Sequence, residues 1–248
     1  MIPLKSRREI ALIKESGRIV AQALLLACQR TRPGMTTSEL NAILEKFIIS
    51  QGGKPAFKGF RGFPASTCIS VNEEVVHGIP GSRLLKEGDL VSVDIGVEKN
   101  AYFGDGAVTF GVGSLSSQAR DLVETCQQAL SAGIEKARVG ARLSDISHAV
   151  QSLTESRGFS VVRDLVGHGI GKQMHEDPQV ANFGPPGKGP RLQSGMVLAI
   201  EPMITAGHHA VATLEDNWTV VTTDGSLAAH YEHTVAITED GPVIMTRG

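Results

Sequence analysis

Two aspartates, Asp94 and Asp105, stand eleven residues apart within the stretch Leu90 to Phe110, each at the end of an apolar or small-residue run. The runs read as neighbouring strands, and Asn100 with nearby glycines supplies a turn between them, so both carboxylates can converge on one point. Two buried carboxylates at close range repel, and burying either without a partner costs on the order of several kcal/mol. A shared proton or cations must neutralise them.

An internal repeat brings two more acids into the same arrangement. Arg32 to Leu40 resembles Arg138 to Ile146 at an offset of 106 residues, and Leu85 to Asp94 resembles Leu192 to Glu201 at an offset of 107. Each first segment opens an amphipathic helix that ends at a glycine, Gly52 or Gly158. In this register Glu201 falls on Asp94, and with an insertion in the second half Glu232 is laid on Asp105. The halves, roughly 1–120 and 121–248, are therefore expected to bring two acids each to a central seam. Four carboxylates balance two divalent cations, whereas one proton or one cation leaves the seam charged. The alternative is that all four are ordinary turn or surface acids.

Among eight histidines, His168 stands apart because small residues flank it in Val166-Gly167-His168-Gly169-Ile170-Gly171 and leave its ring free to reach a metal. A neutral imidazole adds a nitrogen ligand without adding charge. His77, in Val76-His77-Gly78-Ile79-Pro80, and His175, in Met174-His175-Glu176, occupy turn-like segments. Each could orient a substrate carbonyl, move a proton, or be a solvated surface histidine. His230 and His233 flank Glu232.

The elements that must position these groups follow from caps and periodicity. Ser6 with Glu9 has capping-box spacing, and Ile10, Ile13, Gly17, Val20, Leu24 and Ala27 recur at helical intervals until Arg32-Pro33-Gly34. Thr36 with Glu39 repeats the signal for a second helix, which stops at Gly52-Gly53. Further helices are expected from Ser117 to Ala137 and from Ser144 to Arg157, with strands at Ser66 to Val71, at Leu90 to Ile95 and dominating the C-terminal part. Strands clustered between helix pairs indicate an α+β fold with antiparallel pairing.

The 248 residues are 41% hydrophobic and 20% charged with a net charge of -2, which argues against disorder and against a DNA-binding basic field. No stretch is apolar for long enough to span a membrane. Cys28, Cys68 and Cys126 are widely spaced and odd in number, so free thiols and a cytoplasmic location are expected.

The order Asp94, Asp105, His168, Glu201, Glu232, within VNEEVVHGIP, DGAVTF, GHGIGKQMHEDPQV, GMVLAIEPM and YEHTVAIT, resembles the methionine aminopeptidases of the short, bacterial type I branch over nearly the whole chain. The resemblance implies a single domain with the pita-bread fold, two pseudo-symmetric halves around a central antiparallel sheet covered by helices. It implies removal of the initiator methionine from nascent polypeptide N-termini with a small second residue. It also implies a monomer and two divalent cations, Co, Mn, Fe(II) or Zn, that activate a water. By the same resemblance Asp94 chelates one cation, Asp105 and Glu232 bridge both, and His168 and Glu201 complete the second. Glu201 moves the proton, and His77 and His175 hydrogen-bond the scissile amide. Phe57, Phe60, Phe63, Cys68, Met174 and Trp218 form the methionine pocket; the plainer reading of the phenylalanines is core packing.

Three positions depart from the family pattern. Met174 replaces a common aromatic, His230 replaces a common amide and is expected to shift metal preference or pH dependence, and Leu214-Glu215-Asp216-Asn217-Trp218 is acidic where relatives carry lysine. An acidic loop meets the negative ribosomal surface poorly, so ribosome contact is expected to be transient at most. Ile2 is bulky, so Met1 is expected to be retained. Rival readings are an Xaa-Pro aminopeptidase or dipeptidase of the same fold, and a non-catalytic binding relative.

Overall fold

Serine and threonine hydroxyls start the first two helices. In the computed structural model, which describes residues 2–247, α1 spans Arg7–Arg30 behind a complete Ser6/Glu9 capping box, and α2 spans Thr37–Ser50 behind Thr36/Glu39. Each cap satisfies otherwise orphaned N–H groups of a first turn. Helix α3 covers Ser117–Lys136 and α4 covers Leu143–Ser156, within a residue or two of the expected bounds. Met1, whose retention was expected, lies outside the described residues.

The strands that build the site are β1 (Cys68–Val71), β2 (Leu90–Lys99), β3 (Tyr102–Gly111), β4 (Gly167–Gly169), β5 (Glu176–Val180), β6 (Val197–Ile200), β7 (Ala228–His230) and β8 (Glu232–Thr238). All but β7 join one nine-stranded sheet in which β2, β3, β8, β6, β4 and β5 follow one another, with β1 added to β2. Every pairing is antiparallel. The β2–β3 turn is made by Asn100 and Ala101, both at positive φ, so the expected glycine is not what closes it. Because the strands run on to that turn, Asp94 and Asp105 sit within β2 and β3 rather than at their ends.

Two apolar cores lie on either side of the seam. One packs Val20, Leu24, Leu40 and Leu44 of α1 and α2 against Val91, Val93 and Ile95 of β2. The other packs Leu130, Ile134 and Ile146 of α3 and α4 against Leu198 and Ile200 of β6 and Val235 of β8. The repeat reappears in hydrogen bonds: Thr36 bridges Leu84 as Arg142 bridges Arg191. Likewise Gly34 N–H donates to Leu85 O at 2.8 Å as Gly140 N–H donates to Leu192 O at 2.9 Å.

One expected correspondence is corrected. Leu90–Val93 pair with Gly111–Val108, whereas their counterparts Val197–Ile200 pair with Ala236–His233. This ladder lays Glu232 on Ala107, two residues from Asp105, and lays Asp105 on His230. A two-residue slip preserves the face of the sheet, so Glu232 still points to the seam with the other acids.

Where α1 crosses the C-terminal segment the approach is too close for a side chain. A Cβ on Gly17 would stand 2.5 Å from Met245 O. Alanine is the better helix former, yet here it must displace backbone, so Gly17→Ala is expected to lower stability by about 1–3 kcal/mol. Urea denaturation checks this, and an unchanged or raised midpoint would contradict it.

Candidate metal centre

The β2–β3 register sets Asp94 opposite Ala107 and Asp105 opposite Gly96, which puts both carboxylates on one face, diagonally adjacent. Glu232 opens β8 directly opposite Ala107. Glu201 follows β6, with its backbone carbonyl held by the Asn182 amide at 3.0 Å. His168 occupies the middle of β4 between β6 and β5. Its flanking glycines are required for a reason other than ring freedom. A Cβ on Gly167 would lie 2.4 Å from Ala199 O, and one on Gly169 would lie 2.2 Å from Asp177 O. Backbone presses on both sides of the histidine.

All five groups line one cavity of about 280 Å³. Donor atoms of Asp105, His168 and Glu232 lie within 4.8 Å of one another. His168 Nε2 stands 3.8 Å from Asp105 Oδ2 and 3.5 Å from Glu201 Oε1. Its Nδ1 is 2.9 Å from Gly169 O, which fixes Nδ1 as the protonated nitrogen and leaves Nε2 as a lone-pair donor. Asp94 Oδ1 and Glu232 Oε1 are buried without any partner. Buried carboxylate oxygens left unpaired beside an unprotonated imidazole nitrogen form a donor set for a hard or borderline divalent cation. The residues fit such an ion.

Burial dominates the electrostatics. It raises the Asp94 carboxyl to about 7 against the hydrogen bond with Asp105, and it raises Asp105, Glu201 and Glu232 well above the usual range, where the neighbouring carboxylates add to the effect. Burial lowers His168 to about 4, with His175 contributing, and desolvation within the cavity also lowers the half-buried His77 and the more exposed His175. Cys68 lies on β1 against Asp94, and burial followed by the surrounding carboxylates pushes its thiol up. It is no thiolate nucleophile.

Phe57, Phe60, Phe63, Cys68 and Trp218 line the cavity together with His77 and His175. The Phe63 and Trp218 rings meet edge to face at 5.1 Å, and His175 lies 5.3 Å from Phe60 and 4.3 Å from His168. His77 is held at φ +60, a conformation that L residues adopt only where the surroundings impose it. Met174 does not line the cavity. It is buried, and its Cε reaches the space where a Cβ on Gly96 would stand, as the Phe57 ring edge also does. The acidic Trp218 loop is locally satisfied: Asp216 accepts from the N–H groups of Trp218 and Thr219 and from the Thr219 hydroxyl.

Sequence reasoning passed over Val76, Arg61, Asp164, Leu165, Val166 and Met203, which also line the cavity. Asp164 to Val166 immediately precede the glycine-flanked His168, which was the available signal. Arg61 had none. His230, expected to matter through its place beside Glu232, is buried with Nε2 unpartnered and 3.9 Å from Glu201 Oε2.

The sequence and the fold have counterparts among known proteins. The chain is 55% identical over 246 residues to the methionine aminopeptidase of Clostridium perfringens, covering 99% of each. Its fold superposes on the crystal structure of a Thermotoga maritima methionine aminopeptidase with a TM-score of 0.98 at 45% identity, covering all of both chains. The prolidase of Pyrococcus furiosus shares the pita-bread fold at a TM-score of 0.81 and 25% identity, but the match covers only 65% of that longer chain. The pattern of metallopeptidase family M24 matches residues 11–239, and the chain belongs to that family.

Proposed function

We propose that the protein is a metal-dependent methionine aminopeptidase that removes the N-terminal methionine from newly made polypeptides whose second residue is small. The observation that carries this reading is the convergence of four buried carboxylates and His168 on a small cavity walled by aromatic rings. The 55% identity to a protein named for that activity supports it.

Asp94, Asp105, His168, Glu201 and Glu232 would hold two divalent cations, and Mn, Fe(II), Co and Zn all suit such donors. Bound there, the cations supply Lewis-acid polarisation and bring the pKa of a water to about 7. The protein's own groups do the rest. Phe57, Phe60, Phe63 and Trp218 offer an apolar, water-excluding wall to a flexible thioether side chain, with the neutral Cys68 thiol beside it. His77 and His175, both lining the cavity, can present N–H groups to the scissile amide, where such a donor is worth about 10²–10³ in rate. Glu201, which lines the cavity 3.5 Å from His168 Nε2, is placed to take a proton from the attacking water and pass it to the leaving amine. A cavity at the small end of the usual ligand range of about 300–1,000 Å³ favours a chain end over an internal segment.

The three cysteines are unpaired, as a reducing compartment requires, and no described helix is long and apolar enough to cross a membrane. The free thiols support a cytoplasmic location.

Purified apo-protein titrated with Mn, Fe(II) or Co is expected to release methionine from Met-Ala-Ser and not to cleave Gly-Pro. An Asp94→Ala, Asp105→Ala variant should lose at least a thousandfold in rate, roughly the loss of the whole metal contribution. Release without added metal, or in the variant, would sink the proposal.

Metal-free protein should also report its buried carboxylates through stability. Their folded pKa values lie above the unfolded value of about 4, so the native state holds protons that the unfolded chain has released, and stability falls as pH rises. The buried neutral histidines act with the opposite sign, but only below their unfolded pKa of about 6.5. The Tm of the metal-free protein is therefore expected to drop between pH 6.5 and 8, with saturating Mn flattening the slope. A Tm that rises over this window would contradict the assignment.

A further inference from the structure

The hairpin that carries His168 and His175 is pinned from an unexpected direction. Gly169, next to His168, pairs with Glu176, next to His175, and the chain turns between them. Within that turn Gly171 N–H donates to Gln173 O at 3.1 Å, and Gln173 N–H donates to Glu176 Oε1 at 3.2 Å. The other carboxylate oxygen, Oε2, accepts from the ammonium of Lys5, which lies before the first helix. Both side chains are shielded from solvent, at 5% and 9% exposure. Lys5 is itself fastened, its N–H donating to Gly195 O at 2.7 Å and its ammonium also to Pro3 O at 3.3 Å.

Such a pair is a poor device for stability. Taking both charges out of water costs about what their attraction returns, and a well-packed apolar pair is often as stable or more so. What the pair adds is direction. One carboxylate oxygen is tied to the turn and the other to the N-terminal segment, so the hairpin tip has a fixed attitude toward the cavity. An apolar pair fills the same volume without defining that attitude.

We propose that Lys5, acting through Glu176, is a positioning residue for His175, and that the segment before α1 is a strap on the catalytic hairpin. The proposal rests on the reading of His175 as a donor to the scissile amide. A misplacement of a donor by about 1 Å costs up to a hundredfold in rate, and the loss falls on the chemical step more than on binding.

The test compares metal-loaded wild type, His175→Ala, Lys5→Met, Glu176→Gln and the double variant Lys5→Met/Glu176→Leu. The readouts are urea stability, kcat and KM on Met-Ala-Ser, and the His175 ring resonance in metal-free protein. The double variant is expected to recover most of the stability lost by Lys5→Met while kcat stays roughly tenfold or more below wild type, KM changes little and the His175 resonance shifts or broadens. Recovery of kcat together with stability, or full kcat in every variant, would make the pair merely structural and overturn the proposal. If the double variant does not fold, Glu176→Gln decides, because it keeps an acceptor for Gln173 and loses only the charge tie: an unchanged kcat and His175 resonance overturn the proposal. His175→Ala with undiminished kcat would instead remove the underlying role of His175, an outcome separable from all the others.

Discussion

Four carboxylates buried around one cavity cannot all be ionised without compensating charge, and the fold nevertheless holds them there on strands whose registers leave no freedom to retreat. Asp94 and Asp105 are fixed by the ten-residue ladders of one hairpin, and Glu232 by its pairing with Ala107. The energetic consequence is a site whose native state favours protons or cations over bare charge, with orphaned oxygens on Asp94 and Glu232 marking where partners belong. Stability is given up locally so that affinity for cations can be gained, and the two apolar cores on either side of the seam make that tolerable.

The seam itself is narrow. β3 and β8 share only the pairs Glu232 with Ala107 and His233 with Gly106, so within the large sheet the halves join where the acids converge, while a second pairing of Val76 with Val220 joins them outside it. Each half contributes a helix pair, a glycine turn and a strand bearing an acid, and the hydrogen bonds that close each helix pair repeat with nearly the same lengths. The halves are nonetheless unequal in chemistry. The second half places a histidine, His230, where the ladder of the first has Asp105, and it alone supplies the hairpin with His168 and His175. The aromatic wall comes mainly from the first half, through Phe57, Phe60 and Phe63. Each half still lends to the other's task, His77 of the first half adding an imidazole and Trp218 of the second closing the aromatic wall.

Local signals reached far into this protein. The two capping boxes, the bounds of four helices, the repeat and the acids within its apolar runs were all legible in the sequence, because caps act over three residues and amphipathic periodicity over one or two turns. So was the prominence of His168, since its glycine neighbours are visible as text, although the force that selects them is pressure from Ala199 and Asp177 backbone.

Tertiary structure decided the rest, because it depends on pairings between residues far apart in the chain. Which residue of β8 faces β3 is settled by register, and an alignment by resemblance misplaced Glu232 by two positions while still finding its face, since strand faces alternate with period two. Met174 packs toward Gly96 and stays out of the cavity lining, and Arg61 and Asp164 join that lining from segments about a hundred residues apart in the sequence. The Lys5–Glu176 pair spans 171 residues and follows no local pattern. Residue types and short spacings determined what chemistry this chain could support, and long-range pairing alone determined which groups stand close enough to perform it.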